Sequence, residues 1–583
     1  MFFANAIVTV VLLSTFGFGQ AKPTEYHSVA RGPFSFRQRA VDSIYLDRQR
    51  STKMNTFRRE FLKYAGFGFG AVGATGLASA NAQSGTASST FDVRGFGAKG
   101  DGKTIDSPGV NRAIEAAAAA GGGTVRFPAG TYACYSIHLR SEVILNLDAG
   151  ARILAAEVPP RGTTSGGYDP AEENSGDNHY QDYGHSHWHN SLIWAEDQHN
   201  FGIVGPGLIY GKGLSRGTHE LPRAESPGVG NKAIALKNCR NVLLKNFSIL
   251  QGGHFGILAT GVDNLTIDGL TIDTNRDGMD IDCCRNVHVT NCFVNSPWDD
   301  GICPKSSYAL GYARATENVT ITNCLVAGSY ELGTVLDGSF KKYAEDFRVP
   351  RTGRIKFGTE SNGGFKNITV SNCVFDGCNG IALESVDGAL LEDVAFNNIT
   401  MRDISGSPLF LRLGSRMRGS KDLAVGKVRR VILSNIVSYN AVGKLPAIIS
   451  GIPGHDIEDL KLHDIYLHHR GGGTAEWAGV KPPEFEDKYP DPHMFGPILP
   501  ASGFFIRHGR NLEFTNVEVA YESPDERPTF MIADVNGADF FRIKTPSGAA
   551  GRRFSLRNVT DFRSLASRGV KDTEIDHTDN KLL

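Results

Sequence analysis

One phrase recurs along this chain with variation, and its period limits what the chain can fold into. It reads "RNVLLKNFSIL" from residue 240, "DNLTIDGLTID" from 263, "RNVHVTNCFVN" from 285, "ENVTITNCLVA" from 317 and "KNITVSNCVFD" from 366, and it continues through "RNLEFTNVEVA" from 510. Each copy has a polar corner, alternating apolar residues, and Asn, Asp or Gly at a second corner. Asn241, Asn264 and Asn286 are spaced by 23 and 22 positions. Units this short cannot bury an apolar face alone, so they must stack on one another. Several short alternating strands per unit, with no helical pattern between them, predict an all-β fold: a single-stranded, right-handed parallel β-helix. A leucine-rich horseshoe has a similar period, but its Leu consensus is missing.

The repeat explains features that would mislead in isolation. Cys292, Cys324 and Cys373 occupy one equivalent position, so they are expected to stack as buried thiols rather than form disulfides; the total of nine cysteines is odd. The Asn-x-Ser/Thr triplets at Asn246, Asn264, Asn318, Asn367, Asn398 and Asn558 read as corner asparagines. A helix over about residues 107–120, stopped by the Gly121 run, is expected to cap the open first coil. Insertions at 157–190 and about 337–353 are expected to shape a binding cleft.

Near the N-terminus, "MNTFRREFLKYAGFGFGAVGATGLASANAQ" has paired Arg58 and Arg59, then a small-residue apolar run. It resembles a bacterial twin-arginine export signal. The expected organisation is an over-extended start at 1–53, the signal at 54–83, a linker at 84–90, the β-helix at 91–562 and a polar tail at 563–583. The mature protein is expected to be periplasmic or secreted, monomeric, and off the membrane once the signal is removed. With 61 Lys+Arg against 62 Asp+Glu, no global charge draws the chain to nucleic acid.

The chemistry centres on "VNSPWDDGICPKSS". Asp299 and Asp300 are adjacent, and Asp277 in "NRDGMDID" lies one coil period earlier, so the stack brings three carboxylates to neighbouring coils about 4.8 Å apart. Inverting glycoside hydrolysis needs one carboxyl to protonate the leaving oxygen and another to activate water. Mutual repulsion helps to hold one proton near neutral pH. Asp280 and Asp282 read instead as turn caps or calcium ligands.

From about 91 to 560 the chain resembles the polygalacturonase family, glycoside hydrolase family 28, through "FGAKGDGKT", "GGGTVRFPAGTY", "GPGLIYGKG", "NRDGMDID", "WDDGICPKSS" and "PHMFGPILPASGFFIRH" in the family's order. The resemblance implies a pectin-lyase-like β-helix that hydrolyses α-galacturonosyl linkages of pectic polysaccharide without cofactor or metal. Asp299 would be the general acid, and Asp277 with Asp300 would activate water. Asn275 belongs to the same motif, and Lys305 matches the family's lysine after the pair. Two departures stand out. The family's Gly-His-Gly is expected in the next coil, at "GSYELG", where Tyr330 or Glu331 replaces the histidine. The family's Arg-Ile-Lys is present as Arg354, Ile355 and Lys356, yet a second register puts Glu384 where the basic pair belongs.

A uronate needs cationic partners, and Lys305, Arg354, Lys356 and Arg412 are the candidates. His185, His187 and His189 in "GHSHWHN" would fall on one face of any strand they form, and His187 and His189 are expected to hydrogen-bond sugar, with Trp188 or the Tyr180 and Tyr183 pair as stacking surfaces. Metal binding by the three histidines is the weaker alternative. The long insertions point to exo-action. Alternatives in view are a rhamnogalacturonan hydrolase of the same family, a calcium-dependent pectate lyase, and a non-catalytic carbohydrate binder.

Overall fold

The computed structural model describes residues 90–158, 167–173, 182–420, 422–546 and 553–583. The expected extension at 1–53, the signal-like stretch at 54–83 and the linker up to 89 lie outside the described residues, as does Tyr180. No helix among the described residues is long and apolar enough to cross a membrane.

The repeats coil into a parallel β-helix. One wall carries the aspartates and is built from β1 (Phe255–Thr260), β2 (Asp277–Asp282), β3 (Ile302–Lys305), β4 (Lys356–Phe357), β5 (Ile381–Ser385) and β6 (Leu409–Leu413). Neighbours pair in parallel register, with Ile257 beside Met279, Met279 beside Ile302, Ile302 beside Ile355, and Ile381 beside Leu409. This ladder of fully buried side chains forms one edge of the core. Near the C-terminus the ladder becomes aromatic: Phe504, Phe530 and Phe554 stack with centroids 5.1 Å apart.

Corners repeat as faithfully as strands. Asn241, Asn264, Asn286, Asn318 and Asn367 all take positive φ, which Asn tolerates better than other residues with a Cβ. Each amide donates to the oxygen of the one before it, at 2.8, 3.1, 3.0 and 2.8 Å. The other predicted corner asparagines, Asn246, Asn398 and Asn558, share that conformation. Cys292, Cys324 and Cys373 do stack, since the residues after them pair in register, and all nine cysteines are buried and free.

The helix α1 (Ser107–Ala119) lays Val110, Ala113, Ile114 and Ala117 over the first coil. Residues 563–583, expected as a polar tail, are instead part of the fold. Strand β7 (Phe554–Leu565) ends among them and β8 (Thr573–Leu582) pairs antiparallel to it. A parallel stack ends in an open row of backbone donors and acceptors, and this strand of mostly polar residues covers that row.

Candidate active site

Stacking puts Asp277 directly beneath Asp300. The Asp300 N–H donates to Asp277 Oδ1 at 3.1 Å, and the Gly278 N–H donates to the Asp300 carbonyl at 2.9 Å. The approach is close enough to require glycine, because a Cβ on Gly278 would lie 2.4 Å from the Gly301 carbonyl oxygen. Asp299, in the turn before β3, is the most open of the three, with its side chain 29% exposed. Its Oδ2 accepts from Arg276 at 2.9 Å and its Oδ1 from the Asp300 N–H at 3.1 Å.

The three carboxyls sit in three electrostatic settings. Burial alone would raise Asp300, but Lys356 Nζ at 2.6 Å and Arg354 Nε at 2.7 Å outweigh it and hold the group ionised, well below the usual carboxylate range. Asp277 is pushed well above that range by burial first, then by the negative charges of Asp299 and Asp280. Asp280, also fully buried, is raised to about 7 by burial and by Glu360 against the pull of Lys305. Carboxyls driven apart in this way can divide acid and base work at one pH.

The predicted cations divide. Arg354 and Lys356 reach the aspartates, but not through the expected coil. After β3 the chain leaves the wall, pairs Leu325–Ala327 with Phe293–Asn295 in a separate ladder, makes an excursion, and returns where the Gly301 N–H donates to the Arg354 carbonyl at 2.8 Å. Arg354 and Lys356 therefore occupy the coil next to Asp300, the place expected for "GSYELG". Tyr330 and Glu331 lie in the excursion, where Tyr330 Oη donates to Asp376 and Glu331 pairs with Lys341 at 2.9 Å. Glu384 falls one coil further, beside Gly358, with Arg354 at 3.8 Å. Lys305 is buried against Glu360 at 3.1 Å and Asp280 at 3.9 Å. Asn275 is half-buried, its carbonyl accepting from Arg216 at 3.5 Å.

Three expectations are corrected. Arg412 is 1% exposed and donates to Ser450 Oγ, the Gly451 carbonyl and the carbonyls of Glu484 and Phe485, so it anchors a loop instead of facing a sugar. The three histidines do not share a strand face, because Tyr183–Ser186 forms a helical turn. His187 is buried against the Tyr183 ring at 4.0 Å, and His189 pairs with Glu196 at 2.8 Å. It is His185 that reaches the wall, 3.6 Å from Asp280 and 3.5 Å from Glu360. Trp188 is 1% exposed beneath Lys237, leaving no face for stacking.

Three groups among the described residues have metal-ligand spacing: Glu172, His189 and Glu196; Asp182, His185 and Glu360; Asp277, Asp300 and Cys303. Each is already met by a protein cation, Lys237 on Glu196, Lys305 on Glu360, and Lys356 with Arg354 on Asp300. A metal ion would have to displace that charge.

A cavity of about 400 Å³ opens beside Asp299, lined by Tyr183, Arg216, His219, His254, Arg276 and Trp298 among others. Arg216 lies over the Trp298 ring at 5.3 Å. Neither arginine was singled out from sequence, although Arg276 sits inside the Asp277 motif and Trp298 directly precedes Asp299.

Comparison with known proteins agrees with this architecture. A family described as "Right handed beta helix region" matches residues 223–340, and one described as "Rhamnogalacturonase A/epimerase, pectate lyase-like" matches 90–149. A polygalacturonase of Malus domestica is 22% identical over 312 residues, which is 51% of this chain and 60% of that protein's length. Among solved structures, a family 28 exopolygalacturonase of Yersinia enterocolitica aligns with a TM-score of 0.53 at 19% identity, covering 82% of this chain and 79% of its own. The exopolygalacturonase of Thermotoga maritima gives 0.51 at 18% identity, covering 65% and 87%. The fold is thus a right-handed, pectin-lyase-like β-helix whose relatives include polygalacturonases.

Proposed function

We propose that this chain is an inverting glycoside hydrolase acting on α-galacturonosyl linkages of pectic polysaccharide. The observation that carries the reading is the set Asp277, Asp299 and Asp300 on two adjacent coils, each in a different electrostatic setting. In the reaction Asp299, the carboxyl open to the cavity, protonates the leaving oxygen. Asp277, with ionised Asp300 beside it, orients the attacking water and takes its proton. Arg354 and Lys356 fix the charge and orientation of Asp300. Polygalacturonase relatives support the substrate class, and the export-like N-terminal stretch supports work outside the cytoplasm, where pectic polymers are met.

Digesting polygalacturonan and rhamnogalacturonan fractions and identifying the products by mass spectrometry tests this directly. Saturated galacturonide products support it, with monomer alone marking exo-action. Unsaturated ends, or no product from any pectic fraction, would overturn it.

A further inference from the structure

Most cations along the aspartate wall are buried and committed: Lys305 to Glu360, and Arg354 and Lys356 to Asp300. Arg276 differs. Its side chain is 32% exposed, it stands at the wall of the cavity, and it closes on Asp299 through Nη2 at 2.9 Å and Nε at 3.3 Å.

That contact conflicts with the work assigned to Asp299. Both of its oxygens accept hydrogen bonds, Oδ2 from Arg276 and Oδ1 from the Asp300 N–H, so in this state both are engaged within the protein and not by a substrate. One coil below, burial and its acidic neighbours push Asp277 well above the usual carboxylate range. The negative charge of Asp299 is itself one of the causes of that rise.

We propose that Arg276 is a latch worked by the substrate: a uronate carboxylate entering the cavity takes the Arg276 guanidinium from Asp299 and frees Asp299 to meet the glycosidic oxygen as the acid. This rests on the hydrolase reading above. Asp299 then gives its proton to the glycosidic oxygen, which leaves with the electron pair of the broken C–O bond. Water attacks the anomeric carbon, and its proton goes to Asp277. The turnover ends with the water's proton on Asp277 and Asp299 deprotonated, so that Arg276 can close on Asp299 again.

The surroundings suit this exchange. Asp299 is faced by Arg276, Asp277 and Asp280 from β2 and its preceding turn, by Asp300, and by Tyr489. Across the cavity stand Arg216, Glu220, His254 and Asp182. Arg216 is paired with half-exposed Glu220 at 3.2 Å, so a second guanidinium is within the same cavity to hold an incoming carboxylate.

The test has a binding arm and a kinetic arm, each run on the wild type, Arg276→Gln and Arg276→Lys. Calorimetric titration with free galacturonate and with galactose, its neutral counterpart, is expected to show at least a tenfold preference for galacturonate in the wild type. Arg276→Gln should lose that preference, and Arg276→Lys should keep part of it. On de-esterified against methyl-esterified trigalacturonate, the preference should fall at least tenfold in Arg276→Gln, through kcat more than KM. Equal binding of both sugars by the wild type, or an intact preference in Arg276→Gln, would overturn the latch. Binding is read without turnover, so a wild type that binds galacturonate but cleaves no pectic substrate would refute the hydrolase reading and leave the latch to be judged on its own arm.

Discussion

Replacing Lys356 with Met removes one of the two cations that hold Asp300 and leaves the aspartate buried. At 2.6 Å, with an effective dielectric near 20, the lost attraction is about 6 kcal/mol. Residual pairing with Arg354 at 2.7 Å and relaxation of the site reduce the net loss to about 3–5 kcal/mol, the range for breaking a buried pair from one side. Asp300 has a depressed pKa in the folded state, so its contribution is complete above the unfolded value near 3.9 and is lost as pH falls through the lower folded value. The difference between wild type and Lys356→Met should therefore be flat from about pH 7 to pH 5 and shrink below about pH 4. Urea unfolding followed by tryptophan fluorescence measures it. The double variant Lys356→Met with Asp300→Asn should recover much of the loss, because it removes the stranded charge. A loss under about 1 kcal/mol, or strict additivity in the double variant, would refute the claim that Lys356 is what keeps Asp300 ionised.

Asp299→Asn should fold normally by circular dichroism yet lose roughly 10²–10⁴ in turnover, and full retention would sink its role as acid. Gly278→Ala drives a Cβ to 2.4 Å from the Gly301 carbonyl and should cost about 1–3 kcal/mol while separating Asp277 from Asp300; a neutral effect in thermal melts and in turnover would show that the close approach is dispensable. Chelation with EDTA should leave turnover unchanged, since lysine and arginine already meet the carboxylates of the site; loss of activity restored by calcium would favour a lyase. Phe530→Ala, in the middle of the C-terminal aromatic stack, should destabilise the protein by about 3–5 kcal/mol in the same urea assay.

What was legible in the sequence was whatever the period carries. Asn241, Asn264 and Asn286 fix the coil length, and that length alone brings Asp277 under Asp300, because one coil separates them without an insertion. The same argument failed for Tyr330 and Glu331. Between Ala327 and Arg354 the chain leaves the coil, so counting residues no longer gives position, and backbone pairing around Asp299 and Gly301 restores the register. Arg412 was misread for a related reason: the carbonyls that claim it belong to Glu484 and Phe485, in a loop the repeat does not describe. A three-histidine pattern of period two suggested a strand where Tyr183–Ser186 makes a helical turn, which sends His185 to the wall and His187 into packing. Arg276 was in view as part of the Asp277 motif, but its pairing with Asp299 depends on side-chain direction, which the repeat does not encode.

The central claim is that three aspartates on adjacent coils form a hydrolytic pair of acid and base. Following digestion of an α-linked galacturonide by proton NMR in real time tests it most directly. The account predicts that the new reducing end appears first as the β-anomer, with no olefinic proton. A first-formed α-anomer, or a 4,5-unsaturated product, would contradict it.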